Sequence, residues 1–486
     1  MSTDLYRPRF HFTPQHNWMN DPNGLVYFEG EYHLFYQYHP HGMTWGPMHW
    51  GHAVSKDLVS WEHLPIALEP DEHGQIFSGS AVVDWHDTTG FFGGTPGLVA
   101  IFTHHDKEPG SELARERQSL AYSTDSGRTW SKYSGNPVLA DSRFPDFRDP
   151  KVFWHRPTSR WIMVLASGQT VSIYHSPNLK DWSFASQFGE GEGDHSGVWE
   201  CPDLFELPVD GDPSITKWIM FVSIGNSPEY AEGSRTQYFV GEFDGTAFKN
   251  DAEPGAVQWL DAGRDNYAGV SWSDIPGQDG RRIYIGWMSN WKYANLTPTE
   301  GWRSTMTLPR TLELASSGNQ VVLIQKPVAE LQRLKEEAYT WQNIEIEPGT
   351  NLLSAVSMSF YELEAEFELQ TASEFGFKIR ASESYETVVG YVPAKREVFV
   401  DRSRSGNTGF HADFPGRHVV QVLPRHGRIK LIVWVDACSV EVFAGGGATV
   451  ITDLVFPAEG QSGVEVYAVQ GTVKLVSLSL SPVASK

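Results

Sequence analysis

Cysteine is almost missing from this chain. Two residues, Cys201 and Cys438, stand among 486, so they build no disulfide framework, and no pair has the spacing of a metal site. Long apolar runs are missing too, and no stretch is long enough to cross a membrane as a helix. Residues 1–16 hold no apolar signal core, which assigns the chain as written to the cytoplasm, or outside the cell if a leader has been removed. Positive charge is scarce: 38 Lys and Arg face 60 Asp and Glu, for a formal net charge of -22. Such a field repels nucleic acid and anionic membranes and suits a neutral or cationic ligand. Acidity that serves solubility alone explains it equally well. Long helical patterns are also nearly absent.

Turn formers and flat side chains are plentiful. Gly (45) and Pro (29) punctuate the chain, and aromatics make up 13%, with 18 Trp. This mixture predicts many short strands joined by turns. The length allows two or three domains with ample core. Aromatic faces fill cores, but they also stack on sugar rings.

Apolar strands carrying aromatics recur at Tyr32–Gln37, Leu98–Thr103, Trp161–Ala166, Trp218–Ser223 and Ile283–Met288. Their starts lie roughly 55–70 residues apart, within the range of propeller blades with long loops. A Ser/Asp turn ending in an aromatic follows or intervenes at Ser55–Trp61, Ser123–Trp130, Ser176–Trp182 and, more weakly, Phe243–Phe248. Five repeats predict an all-β, five-bladed β-propeller, with an irregular β-sandwich as the alternative. In a propeller each blade begins with an innermost strand lining the central channel. The candidates are Leu25–Phe28, Gly79–Val83, Lys151–Trp154, Asp203–Leu207 and Ala268–Trp272. Just before them stand Asp21, Ser78, Asp149, Glu200 and Tyr267, which the fold would bring to one end of the channel.

The repeat fades after Pro309-Arg310. Gln325–Lys335 is the best helical stretch, with Val328, Leu331 and Leu334 on one face and Pro327 suited to a first turn. Alternating strands return from about 344, as in Tyr361–Leu369, Glu397–Asp401, Ile429–Asp436 and Ser439–Ala444. The expected organisation is a catalytic propeller over 1–325, a linker with a short helix over 326–343, and a β-sandwich over 344–486.

Asp21 alone, within Asn20-Asp21-Pro22-Asn23-Gly24, reads as an ordinary turn residue. Its meaning changes beside Arg148-Asp149-Pro150 and Trp199-Glu200-Cys201-Pro202-Asp203. Three acids, each closely followed by Pro at the mouth of a blade strand, are poorly explained by turn chemistry. Other features are weaker. His39, His41, His49 and His52 have the donors for a metal, yet His beside aromatic strands is more often a hydrogen-bonded wall residue, so no metal is expected. Gly189–Gly193 lacks the strand-to-helix context of a phosphate cradle. Cys201 beside the acid either tunes its surroundings or simply packs.

With these motifs the chain resembles glycoside hydrolase family 32, the β-fructosidases. Further matches are Tyr36-Gln37, Trp45-Gly46, Phe77-Ser78-Gly79-Ser80-Ala81, Asp265-Asn266-Tyr267-Ala268, Ile285–Trp291 and Ser439–Phe443. The resemblance covers nearly the whole chain and implies a five-bladed propeller followed by a β-sandwich. It implies Asp21 as nucleophile, Glu200 as general acid/base and Arg148 with Asp149 as the grip on two sugar hydroxyls, Arg148 also keeping Asp149 ionised. Asn20, Gln37, Ser78 and Tyr267 would add polar contacts. Trp45, Phe77 and Trp287 would wall the ring. No cofactor is implied. The chemistry would be retaining hydrolysis of terminal β-fructosyl units from sucrose, inulin or levan, with carboxyls about 5 Å apart. Variants are an enzyme that releases disaccharides or cuts internally, a fructosyltransferase, and an inverting hydrolase with carboxyls about 6.5–9.5 Å apart. A non-catalytic fructan-binding propeller would be expected to lack Asp21 or Glu200. The role of the sandwich, as a polymer-binding or subunit surface, and the oligomeric state stay open.

Overall fold

The central channel is lined by one strand from each of five blades: Asn17–Phe28, Gln75–Asp84, Phe147–His155, Trp199–Val209 and Tyr267–Ser271. The computed structural model describes residues 4–227, 230–350 and 352–484. Each repeated apolar run is the second strand of its blade, next to the channel strand. It reads as a continuous run because neighbouring blades cover both of its faces. In Arg160–Ser167 every residue after Arg160 is buried. Each Ser/Asp turn joins the third strand of a blade to the next segment outward. In Ser55–Trp61, Asp57 accepts from the amides of Val59 and Ser60, and the Trp61 indole donates to the Leu58 carbonyl. The ring closes where the Ser273 amide donates to Leu25 O at 2.9 Å and the Tyr27 amide to Ser273 O at 3.0 Å.

The channel strands begin earlier than the sequence suggests. All five predicted site positions lie inside strands, at or beside a β-bulge. The ladder slips between Met19 and Pro22, Ile76 and Gly79, Arg148 and Lys151, Glu200 and Asp203, and Tyr267 and Val270. A bulge sets two residues against one and turns side chains away from strict alternation. Here that bend aims polar groups into one mouth of the channel. The five positions are not equivalent, however. Asp21 and Ser78 are the second residue of their bulge, Asp149 is the first, and Glu200 and Tyr267 precede theirs. Pro150 and Pro202 fit here because each sits within its bulge, out of the ladder, and Pro22 closes its bulge opposite Tyr36. Pro22, Pro150 and Pro202 meet across the channel around a gap of about 10 Å³ and form a floor.

The C-terminal region is a β-sandwich of a six-stranded and a five-stranded sheet. In Tyr361–Glu368, Leu363, Ala365 and Phe367 face the core while Glu364, Glu366 and Glu368 face outward. The expected linker helix differs. Pro327 ends the strand Gln320–Pro327, and Ala329–Leu334 is a 3-10 helix whose Leu331 is buried, as is Val328 just before it. The sandwich strand Tyr339–Ile346 already pairs with Val473–Pro482. The short apolar face has too few turns to sustain an α-helix between two strands.

Propeller and sandwich meet over buried charge. The amides of Arg9, Phe10 and His11 donate to the Asp436 carboxylate, and the His11 ring lies between Asp436 (2.7 Å) and Glu441 (2.8 Å). Arg310 bonds Asp261, Glu441 and Thr452. Arg402 bonds Asp265 and the Tyr293 hydroxyl.

Candidate active site

The bulges of the first four blades open into a cavity of about 360 Å³ at one end of the channel. Its lining contains Asn20, Asp21, Gln37, Trp45, Phe77, Ser78, Arg148, Asp149 and Glu200. Gln37 stands opposite the Asn20-Asp21 bulge, where its side-chain amide donates to Asn23 Oδ1 and Ile76 O. Two predicted members have different places. Tyr267 is buried beneath the cavity, and its hydroxyl donates to Glu200 Oε2. Trp287 is fully buried and packs on Trp18 and Trp291. Trp291 reaches the cavity instead, because it lies beyond the strand Arg282–Met288 while Trp287 is held within it, opposite Tyr267.

Asp21 Oδ2 accepts from the Ser78 hydroxyl at 2.7 Å and the Cys201 thiol at 3.4 Å, and Oδ1 accepts from Asn20 Nδ2 at 3.1 Å. Burial pushes the Asp21 carboxyl above its ordinary pKa, opposed by the Ser78 hydroxyl and assisted by the nearby Glu200 charge. Asp149 Oδ2 accepts from the Cys201 amide at 3.0 Å and its thiol at 3.5 Å. Cys201 therefore bridges the two aspartates, with its own backbone in the left-handed region at φ 46°. Asp149 is left-handed as well, at φ 65°. Such strain in non-glycine residues clusters at functional sites, where packing over-determines the backbone.

Arg148 acts on Asp149 through its charge alone. No hydrogen bond joins the two side chains, and the guanidinium turns to Glu200 Oε1 (3.1 Å), Asp146 Oδ1 (2.6 Å) and both oxygens of Glu116. Burial pushes Asp149 up to about 8, against the pull of Arg148 and with the charges of Glu200 and Asp21 adding to the rise. Glu116 goes the other way: burial opposes its charge, but Arg148, His105 and the Phe147 amide outweigh it and hold the carboxyl low.

Sequence reasoning missed Glu116, Asp146, His105, Ala114 and Trp291, all of which line the cavity. His105 stacks on Phe77 at 4.1 Å between centroids and bonds Glu116 at 3.1 Å. Trp45 is exposed at the rim, edge-on to Phe77. Among the described residues no group of His, Cys, Asp or Glu is arranged to hold a metal ion. His52 instead stacks on Phe35 and bonds His33.

A β-strand funnel with five carboxylates, a guanidinium and an aromatic rim suits acid/base work on a polyol. Comparison with known proteins agrees. The model of the glycosyl hydrolases family 32 N-terminal domain matches residues 11–327, and that of the family's C-terminal domain matches 330–482. A levanase of Bacillus subtilis is 54% identical over 98% of this chain and 70% of its own length. A levanase of Bacillus sp. strain L7 is 41% identical over 98% of this chain, which spans about half of that relative (52%). The crystal structure of an exo-inulinase from Aspergillus awamori superposes with a TM-score of 0.91 at 37% identity, covering 99% of this chain and 98% of that one.

Proposed function

This chain belongs to glycoside hydrolase family 32, and we propose that it is an exo-acting, retaining β-fructosidase that takes fructose from the free ends of β-fructans and from sucrose. The observation that carries the reading is the convergence of Asp21, Asp149 and Glu200 on a funnel whose floor is closed by Pro22, Pro150 and Pro202. A blind funnel admits a chain end and not the middle of a polymer.

Asp21 attacks the anomeric C2 of the terminal fructosyl unit. The C2–O bond breaks, and its electron pair leaves on the departing oxygen, which takes the Glu200 proton. Glu200 then removes a proton from water, the water oxygen attacks C2, and Asp21 is released with configuration retained. Arg148 and Tyr267 hold the two oxygens of Glu200 from opposite sides and fix where the proton is delivered. Asp149 lines the funnel beside Asp21 and Glu200, placed to hydrogen-bond a sugar hydroxyl; burial favours its neutral form, which donates where a carboxylate only accepts. Its neutrality also leaves one negative charge fewer beside Asp21.

A time course with sucrose, inulin and levan, products separated by size, tests the reading. Fructose is expected as the sole early product from the polymers. Early disaccharide or a ladder of oligomers overturns exo action, and products longer than the donor overturn hydrolysis in favour of transfer.

A further inference from the structure

The channel has a second mouth. Beyond the proline floor lies another cavity, of about 540 Å³, larger than the catalytic one. It is built from the far halves of the channel strands in the second, third and fourth blades and from the fifth blade around Asp274 and Arg282. The gap of about 10 Å³ between the two cavities is too small to pass a sugar, so the rear cavity is not an extension of the funnel.

Its charge is balanced: Lys151, Arg156 and Arg282 stand against Asp203, Glu206 and Asp274. A balanced wall favours neither an anion nor a cation, and it offers many donors and acceptors to a neutral polar ligand. Two of these groups, Asp203 and Arg282, are incompletely partnered. Asp203 Oδ2 accepts from the Ser271 amide and hydroxyl at 2.7 Å each, while its Oδ1 is buried with no hydrogen bond. Arg282 donates to Trp272 O at 3.2 Å and lies over the Phe205 ring at 5.0 Å; among the described residues it forms no ion pair. At the rim Trp85 is 51% exposed yet fixed, its indole donating to Asp274 Oδ1 at 2.9 Å and its ring edge-on to Phe28. An exposed indole face that is already immobilised costs little further entropy on binding.

We propose that this rear cavity is a second, non-catalytic saccharide site that holds a distant stretch of the neutral fructan polymer degraded at the front. The proposal rests on the fructosidase reading for the identity of the glycan. The channel strand Phe147–His155 has nine residues. At about 3.3 Å per residue the two mouths are about 30 Å apart. A disaccharide cannot reach both, whereas a polymer can, and its second attachment raises the local concentration of ends.

Two measurements test this. In the first, Trp85→Ala is expected to raise KM for levan about fivefold or more while leaving sucrose hydrolysis unchanged, and Trp85→Phe, which keeps an aromatic face, retains most of the wild-type value. Identical levan kinetics in Trp85→Ala and wild type overturn the proposal. In the second, the inactive Glu200→Gln protein is titrated calorimetrically with a fructan tetrasaccharide. Two sites per chain are expected, and one is lost when Trp85→Ala is added. A single site in Glu200→Gln overturns the proposal however Trp85→Ala folds. Failure of the wild type to hydrolyse either sucrose or levan would instead sink the fructosidase reading, so the two failures are separable.

Discussion

Two sets of buried carboxylates, Asp21 with Asp149 in the funnel and Asp436 with Glu441 and Asp453 at the seam, are held in opposite ways, while Glu116 in the funnel and Asp261 at the seam run against their neighbours. In the funnel, Asp21 and Asp149 are pushed up by burial, and the one large cation nearby, Arg148, faces other partners. At the seam between propeller and sandwich, Asp436, Glu441 and Asp453 are just as buried. There burial is outweighed by His11, Arg310, His418 and backbone amides, and all three are held below their ordinary range. The seam satisfies its charges internally, and its work is to join two domains. The funnel leaves its charges under-satisfied, and the missing partners are those a substrate would bring. Under-satisfied groups work at a cost in stability, and satisfied ones contribute stability without being available for chemistry.

The comparison is broken most severely at the reacting carboxylates. Asp21→Ala or Glu200→Ala should lower kcat for fructose release by about four orders of magnitude or more. In Asp21→Ala the melting temperature should hold or rise, because a carboxyl strained by burial has been removed. Full activity sinks the mechanism, and a melting temperature several degrees lower would place Asp21 with the seam carboxylates instead.

His11→Ala tests the other side. It strips Asp436 and Glu441 of their shared partner and should cost about 3–5 kcal/mol in denaturant unfolding. The pH dependence has a definite sign. Burial lowers the His11 pKa, but the bonds to Asp436 and Glu441 outweigh it and raise the value above normal. Its contribution is therefore fully present below the unfolded histidine pKa, about 6.5, and is lost as pH rises through the higher folded value. The depressed carboxyls contribute above the unfolded carboxylate range, about 4, and lose that contribution as pH falls through their lower folded values. Wild-type stability should fall on both sides of this window, and His11→Gln should flatten the alkaline side. An unchanged alkaline slope in His11→Gln would remove His11 from the account.

The smallest effect sharpens the contrast inside the funnel. Tyr267→Phe deletes one hydrogen bond to Glu200, and kcat should drop about tenfold with KM little changed. A rise in KM alone would make Tyr267 a substrate contact, which its position beneath the cavity argues against.

Much of this arrangement was legible in the chain itself. The continuous apolar runs announced strands covered on both faces, and five of them announced five blades. Asp21, Asp149 and Glu200 stood out because proline follows each closely, and proline in a strand marks an edge or a bulge. The bulges themselves were not legible. A one-residue slip leaves no trace in composition, so positions that look equivalent sit at three different levels of the ladder. Glu116 and His105 were missed for a related reason. They come from the strands Ala114–Ser123 and Gly97–Lys107, outside the channel strand, where no proline marks them. Trp287 and Trp291 are four residues apart in one matched segment, and only the end of a strand decides which meets the cavity. His11 carried no signal at all, since its partners lie more than 400 residues away in sequence.

The proline floor also governs traffic. Because Pro22, Pro150 and Pro202 leave no passage wide enough for a sugar, the funnel has a single doorway that serves both arrival and departure. On the exo-acting reading, a freed fructose backs out before the next chain end enters, and no polymer threads through the channel. Each turnover is a separate visit, and fructose that lingers stands in the path of its own successor.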